Sequence, residues 1–310
     1  MKNGKIFSYT LNTIIIFALG YFLFNNVHLF KNLLNINTID IALIIIMQAI
    51  YLWFAGYSSY LIGIKLGVKI KDFFALQIAN RFFNLILPSG GAVFRAIYLK
   101  NVYKLSYSKY VTLLLGTYLV TIFTSATISL VIIIYLLNIK ATRSLQTIAA
   151  TLIAIIIASL FIFRTKPFKT TKWKISKNIN KVIQGWEKIK KHKKLIGFLI
   201  LLSIISLIIL AARLYIILPA TGTGASITQA CFLAIITFLT TVISITPGNI
   251  GVREILFAAS SHTIGIGYEE AIFASLVLRV ISYILPLTTG PFIYRNMQNR
   301  ITKNLRNEKI

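Results

Sequence analysis

The sequence predicts an all-α polytopic membrane protein with six full spans and two re-entrant helical hairpins arranged as an inverted repeat. The 310-residue chain is 57% hydrophobic and has only seven acidic residues. Apolar runs recur along it, and a run of about 20 residues is long enough to cross a bilayer. Lysine-rich turns separate these runs, and two of the apolar stretches contain a Pro-Gly break followed by an arginine.

The six spans are predicted from the apolar runs between the basic turns. Because cytoplasmic loops are enriched in lysine and arginine, the basic turns place the N- and C-termini in the cytoplasm of a multi-pass cell-membrane protein. Lys2 and Lys5 precede the first apolar run, but no small-residue cleavage site follows it, so we expect an uncleaved first span. The predicted spans are 9–30, 39–64, 110–137, 145–163, 195–218 and 271–294.

We treat 1–310 as a single integral membrane domain. Its parts are 9–137 (the first span and first repeat unit), 138–194 (the fourth span and a basic cytoplasmic segment), 195–294 (the second repeat unit) and 295–310 (a basic cytoplasmic tail). In the basic segment, apolar residues recur at helical spacing between lysines. This pattern predicts an amphipathic helix that either lies in the membrane interface or packs on the protein's own cytoplasmic face.

Each Pro-Gly break interrupts an apolar stretch, 73–99 in the first unit and 227–264 in the second. In the first stretch each arm is too short to cross the hydrocarbon, so we predict a hairpin that enters and leaves on the cytoplasmic side, with an inverted copy entering from outside. The breaks lie 159 positions apart, and coincidence is the alternative, because Pro and Gly are common in membrane helices. The predicted hairpin tips are Pro88, Ser89, Gly90 and Gly91, and Pro247, Gly248, Asn249 and Gly251.

Broken backbone is tolerated at membrane depth only where protein or water satisfies its polar groups. Inverted repeats with broken helices are the architecture of many transporters, whose sites lie near the midplane at the repeat interface. The two breaks therefore predict a buried polar site between the two units. Ser89, Asn84 and Asn249 are expected mainly to cap the broken helices there.

Five ionisable residues stand out in the apolar segments, and four of them are arginines. A charge at the bilayer centre costs at least ~2.5–3.5 kcal/mol, so it needs a partner or water. A lipid phosphate would neutralise the surplus positive charge, because the guanidinium fork binds phosphate oxygens bidentately. These residues are Arg81, Arg95, Arg213, Glu254 and Arg279.

We predict that Arg81, Arg95 and Arg279 contact phosphate. Glu254 is predicted to pair with an arginine or to bind a cationic group of the headgroup, and Arg213, near the outer end of its span, to be structural. The alternatives are that Arg95 snorkels to the cytoplasmic interface and that Arg279 and Glu254 form a structural salt bridge.

The remaining composition excludes several function classes. The net charge of +26 comes from lysines next to spans, so it indicates membrane orientation and anionic lipid headgroups rather than nucleic acid. Cys231 is the only cysteine, and His28, His192 and His262 lack metal-ligand spacing. No GxxxxGK[ST] loop or nucleophile–base pair is visible, so we expect no cofactor, no metal and no catalytic residues.

Two motifs resemble the signatures of the lysylphosphatidylglycerol synthase transmembrane family. They are NRFFNLILPSGG at 80–91 with Arg95, and PGNIGVRE at 247–254 with Arg279 and Pro286. The family includes the flippase half of the multiple peptide resistance factor, stand-alone flippase-like proteins and membrane regions joined to archaeal glycosyltransferases. The resemblance implies a membrane domain that binds a phospholipid or lipid-linked headgroup and moves it between leaflets.

Two positions depart from the family pattern. Tyr118 stands where the first unit would have the counterpart of Arg279, so this position lacks the charged residue that symmetry would place there. Arg253 directly precedes Glu254, where the family more often has a neutral residue.

The resemblance assigns aminoacyl transfer to a separate soluble C-terminal domain. Only sixteen residues follow Tyr294, so we expect this chain not to be an enzyme. The leading prediction is a stand-alone flippase-like protein that translocates an anionic phospholipid or lipid-linked headgroup, with membrane lipids as partners. The alternatives are a membrane subunit or scaffold for a separate glycosyltransferase or aminoacyl-phospholipid synthase, docked at 164–194, a small-solute transporter, and lipid aminoacylation by the chain alone.

Overall fold

A computed structural model describes residues 36–63, 67–87, 89–139, 142–166, 174–221, 226–242 and 249–307. The predicted first span and the tip residues Pro88, Pro247 and Gly248 lie outside the described residues. Within the described ranges the regular structure is helical, with ten α-helices and short 3₁₀ turns. The helices are α1 (Thr38–Gly63), α2 (Ile70–Ile86), α3 (Gly90–Tyr103), α4 (Tyr107–Ile139), α5 (Arg143–Arg164), α6 (Lys174–Lys190), α7 (Lys193–Ile217), α8 (Ile227–Val242), α9 (Val252–Ser261) and α10 (Tyr268–Asn307).

Five described helices, α1, α4, α5, α7 and α10, are long and apolar enough to cross a membrane. They correspond to the predicted second to sixth spans. Large apolar side chains such as Phe161 and Phe292 are exposed on them, at 77% and 72%. Such exposure is expected where acyl chains, rather than water, are the solvent.

Helix α10 extends 13 residues beyond the predicted end of the last span at 294. Its 40 residues include Pro286 and Pro291, and the helix continues through both. At 1.5 Å per residue it is about 60 Å long, whereas the hydrocarbon core is about 30 Å thick. The prediction ended the span where the apolar sequence ends, but no helix-breaking residue follows there.

The first Pro-Gly break joins α2 to α3 in an antiparallel hairpin. Ser89, the residue before α3, adopts a left-handed φ of 58°. The Gly91 N–H donates to Asn84 Oδ1 (2.9 Å), and a Cβ at Gly91 would lie 2.2 Å from the Asn80 carbonyl oxygen. Glycine is therefore required for the close return of α3 onto α2.

Two hydrogen bonds continue this antiparallel pairing away from the tip. Arg95 contacts Gln77, and Tyr98 contacts Asp72. The stretch 73–99 is thus a pair of helices folded against each other.

The arms on either side of the second break, α8 and α9, also contact each other. Near the tip, Asn249 Nδ2 donates to the Thr240 carbonyl oxygen (2.7 Å). At the base, Gln229 Nε2 donates to the Ile264 carbonyl oxygen (2.9 Å). Asn249 has a φ of 56° and Gly251, before α9, a φ of 84°, so a left-handed residue precedes the second arm in both hairpins.

Both hairpins contact α10, in opposite directions. The base of the second hairpin is joined to the N-terminus of α10 by the short link 262–267, and its tip lies against Arg279. Gly290 packs on Phe82 near the tip of the first hairpin, and Arg300 binds Asp72 at that hairpin's base. The two tip contacts are 11 residues apart on α10, about 17 Å.

Helix α6 packs on the protein itself through its C-terminal half. Trp186 is buried between α4, α5 and α7, near Val120, Phe163 and Leu199. A Cβ at Gly185 would lie 2.5 Å from Thr112, so α6 approaches α4 closely. The sequence predicted that this helix lies either in the membrane interface or on the protein's own cytoplasmic face. Its C-terminal half packs on the protein itself.

Candidate functional site

Glu254 lies at the centre of a polar cluster beside the second hairpin tip. It is 1% exposed and occupies the first turn of α9. The Gly251 N–H donates to Oε2 (2.8 Å), the Ser275 hydroxyl donates to Oε1 (3.1 Å), and Arg279 Nη2 lies 2.9 Å from Oε1. The carboxylate thus satisfies a free amide at the helix start and pairs with a buried cation, so its desolvation is compensated.

Arg279 also reaches the backbone of the hairpin tip. Its Nη2 donates to the Asn249 carbonyl oxygen (3.0 Å). Its Nε and Nη1 are buried and have no hydrogen-bond partner among the described residues, and the same holds for Asn249 Oδ1. This arginine therefore retains donors after its pairing with Glu254.

Arg253 belongs to the same cluster, although in the sequence it stands out only as a departure from the family motif. Its Nε donates to the Ser275 hydroxyl (2.9 Å), and its Nη2 donates to the Ser275 carbonyl oxygen. Its Nε is 4.0 Å from Glu254 Oε1, so Glu254 faces two arginines. Helical periodicity did not predict a role for Arg253, because that role depends on how α9 packs against α10.

Arg95 is buried inside the first hairpin, at 4% exposure. Its Nη2 donates to Gln77 Oε1 (2.9 Å), and Gln77 Nε2 donates in turn to the Ala55 carbonyl oxygen (2.9 Å) and contacts Ser59 Oγ (3.3 Å). Its Nε is buried without a partner among the described residues. The side chain therefore points into α1 and α2 rather than toward an aqueous interface.

Arg81 and Arg213 meet at one aromatic ring. Their guanidinium carbons lie 5.0 and 5.4 Å from the centroid of Tyr51 on α1. Arg213 Nη1 also donates to Gln48 Oε1 and lies 3.4 Å from Ser282 Oγ. Sequence reasoning missed this grouping, since residues from α1, α2, α7 and α10 form it.

The predicted site residues thus fall into three groups. Arg279 and Glu254 pair directly, Arg81 lies with Arg213, and Arg95 forms a separate network with Gln77. Gln77 and Arg81 are one turn apart on α2, so the Arg95 network and the Arg81–Arg213 group are neighbours along this helix. Of the predicted tip residues, Gly91 and Gly251 make the backbone hydrogen bonds, Asn249 contacts Arg279, and Ser89 and Gly90 form the turn into α3.

A further cluster closes the base of the first hairpin. Arg300 Nη1 donates to Asp72 Oδ1 (2.7 Å), Tyr98 donates to Oδ2 (3.1 Å), and the Tyr103 hydroxyl also donates to Oδ2. Burial alone would raise the pKa of Asp72, but the donors from Arg300 and the tyrosines outweigh it and lower this pKa below its usual value of 3.8. Burial and the Asp72 contact raise the pKa of Tyr103.

The described residues offer little for other ligands. They contain no cluster of three or more His, Cys, Asp or Glu side chains that would hold a metal ion. A cavity of about 320 Å³ between α4, α7 and α8 is lined by apolar groups, including Ile132, Ala211 and Cys231. None of its lining residues is charged, so the arginine groups remain the candidate site for a charged ligand.

Comparison with known proteins gives one family. None of the curated proteins compared matches the chain. The sequence model of the lysylphosphatidylglycerol synthase TM region matches residues 9–290, which include both Pro-Gly breaks and all the buried arginines described above. This match confirms the resemblance seen in the motifs, and the chain belongs to the lysylphosphatidylglycerol synthase transmembrane-region family.

Proposed function

We propose that this protein translocates an anionic phospholipid or lipid-linked headgroup between the leaflets of the cell membrane. In this proposal it has six spans and two re-entrant hairpins, has both termini in the cytoplasm and is not itself an enzyme. Family membership supports a membrane protein that acts near lipid headgroups. The transported group is inferred from the charges at the hairpins.

The observation that supports the proposal best is the uncompensated positive charge beside Glu254. Arg253 and Arg279 share this one carboxylate, and two donors of Arg279 have no partner among the described residues. Buried charges need a counter-charge and hydrogen bonds. A lipid phosphate supplies both, because its oxygens accept bidentately from guanidinium groups.

The arrangement of the hairpins supports movement of a headgroup across the membrane. They lie along α10 in opposite directions and bring their tips to its middle half. If α10 spans the bilayer, the hairpins enter from opposite sides, as in transporters built from inverted repeats. We propose that the two tips are the gates, and that the left-handed residues Ser89 and Gly251 are the joints between their arms.

Leaflet exchange in vesicles tests the function. The purified chain is reconstituted with a fluorescent phosphatidylglycerol, and the fraction of probe accessible to an external quencher is followed with time. We expect exchange by the wild type and its loss in Arg95→Ala and Glu254→Gln. Arg143→Ala removes a positive charge, as Arg95→Ala does, but from the exposed start of α5. This variant should exchange lipid at the wild-type rate.

Exchange at the wild-type rate by both site variants would show that the proposed site is wrong. Absence of exchange by the wild type would contradict the function itself. Solute uptake by the same vesicles without lipid exchange would instead favour a small-solute transporter.

A scaffold for a separate lipid-modifying enzyme is the second candidate. The burial of Trp186 leaves exposed lysines such as Lys181 and Lys191 on α6 and after it, and these would suit an acidic partner surface. Exchange by the chain alone would show that no partner is required for transport. Lipid modification by a neighbouring enzyme that depends on this chain would support the scaffold.

A further inference from the structure

Two arginines from different helices lie against the same tyrosine with no carboxylate between them. Arg81 on α2 and Arg213 on α7 lie 5.0 and 5.4 Å from the Tyr51 ring centroid. The ring attracts each cation through its negative face. It does not neutralise either charge, and like charges that share a site destabilise it.

The polar partners of this pair are neutral. Arg213 contacts the amide oxygen of Gln48 and the hydroxyl of Ser282. Neither Arg81 nor Arg213 forms a salt bridge with a carboxylate in the described part of the chain. Arg213 is only 4% exposed, so water does not screen its charge.

Two buried donors at this place have no acceptor. Gln48 is 1% exposed and its Nε2 has no partner among the described residues, and the same is true of Arg213 Nε. Buried polar groups are nearly always hydrogen-bonded, so each orphan requires an explanation. A ligand that brings several negatively charged oxygens would accept from both donors and compensate both guanidinium groups.

We propose a subsite for the oxygens of a phosphate ester, formed by Arg81, Arg213 and Gln48. Tyr51 holds the two guanidinium groups in this subsite. The subsite is separate from the Glu254–Arg279 pair. The ligand is either a phospholipid headgroup or a free phosphate. If it is the headgroup, this inference rests on the proposed function and assigns a phosphate contact to Arg213, which the sequence analysis expected to be structural.

The position of the subsite fits a headgroup in transit. Ser282, which contacts Arg213, is three residues from Arg279 on α10, so the two share one face of that helix. Arg81 is one turn from Gln77, the partner of Arg95 in the first hairpin. The subsite therefore lies between the polar networks of the two hairpins.

Ligand-dependent thermal unfolding tests this subsite. The full chain is purified in nonionic detergent without phosphate or sulfate, and its unfolding midpoint is measured against inorganic phosphate, dihexanoyl-phosphatidylglycerol and dihexanoyl-phosphatidylcholine. A ligand that binds the folded state raises the midpoint in a saturable manner. We expect Arg213→Met and Gln48→Leu to weaken the apparent affinity about tenfold or more, the loss typical of a hydrogen bond to a charged group.

The ligand-free midpoint separates binding from a structural role. Arg213→Met removes an uncompensated buried charge at similar volume but leaves Gln48 Oε1 without its donor, so its midpoint without ligand should stay close to that of the wild type. Gln48→Leu retains every charge. If Arg213→Met does not fold, the ligand affinity of Gln48→Leu tests the subsite. Arg164→Gln, which removes an exposed charge at the end of α5, should respond to ligand as the wild type does.

Unchanged ligand affinity in Arg213→Met or in Gln48→Leu would overturn the subsite, as would the absence of any effect of phosphate and of both lipids on the wild type. A response to inorganic phosphate alone would identify a free anion, and a response to the lipids a headgroup. The exchange assay separates the two proposals. Phosphate binding without exchange would contradict only the proposed function. Wild-type exchange by Arg213→Met would contradict a headgroup as the ligand of this subsite and leave the proposed function intact.

Discussion

Arg279 and Glu254 form a buried ion pair, with 2.9 Å between Nη2 and Oε1, at the point where the second hairpin tip meets α10. The same carboxylate accepts the Gly251 N–H at the start of α9. One acidic side chain thus joins the hairpin backbone to the long helix. This double role makes Glu254 a sensitive position for both folding and transport.

Glu254→Gln should destabilise the protein strongly. Removing one partner of a buried pair leaves an uncompensated charge and typically costs about 3–5 kcal/mol. The measurement is chemical unfolding in detergent, combined with Arg279→Gln in a double-mutant cycle. If the pair is the cause, the double variant should be more stable than the sum of the two single losses indicates, and simple additivity would refute the coupling.

Gly91→Ala should prevent the first hairpin from closing correctly. Its Cβ would lie 2.2 Å from the Asn80 carbonyl oxygen, which is backbone and cannot rotate away. Overpacking of this kind costs about 1–3 kcal/mol or more. The unfolding midpoint and the leaflet-exchange rate should both fall.

Gly197→Ala is the matched control for that substitution. Gly197 lies within α7, and a Cβ there meets nothing within 4 Å. Alanine in a helix interior is favoured over glycine by roughly 0.5–1 kcal/mol, so this variant should be as stable as the wild type or slightly more stable. Equal losses in both glycine variants would contradict the steric explanation.

Asp72 should make stability depend on pH at the acid end. The folded-state pKa lies below the ordinary value of 3.8, so the contribution of Asp72 is fully present above that value. It is lost as the pH falls below 3.8 and through the folded pKa, because the protonated carboxyl no longer pairs with Arg300. The unfolding midpoint of the wild type should therefore fall on acidification in this window.

Asp72→Asn should remove this part of the acid response, with a lower midpoint at neutral pH that approaches the wild-type value at low pH. Asp40→Asn, in the first turn of α1, is the control and should retain the wild-type response. An acid response of Asp72→Asn equal to that of the wild type would assign the pH dependence to other groups.

Trp186→Ala should release α6 from the body of the protein. Trp186 is 6% exposed and packs on Phe163 with a ring-centroid distance of 5.1 Å. Truncating a buried tryptophan leaves a cavity and costs about 3–5 kcal/mol. Faster hydrogen exchange in 180–190 and faster tryptic cleavage are expected, whereas Gln184→Ala, on the exposed side, should change neither.

Much of the helix content follows from local sequence. Apolar runs and basic turns predicted the five described helices that are long and apolar enough to cross a membrane, since the length of an apolar run is decided by composition. The breaks near 88 and 247 were visible because proline and glycine occur together there, whereas the separate prolines Pro286 and Pro291 do not end α10. The last span was predicted to end near 294, and α10 continues beyond it to Asn307, since charge ends a membrane span but does not end a helix.

The sequence by itself determined that this chain is a helical membrane protein with two broken helices and a surplus of arginine in its apolar segments. Only the tertiary structure decided the partners of those charges: Arg279 with Glu254, Arg213 with Gln48 and Tyr51, and Asp72 with Arg300, which is 228 residues away. The physical reason is that hydrophobicity and helix breaking are properties of neighbouring residues, whereas the pairing of a buried charge depends on which faces of distant helices pack together.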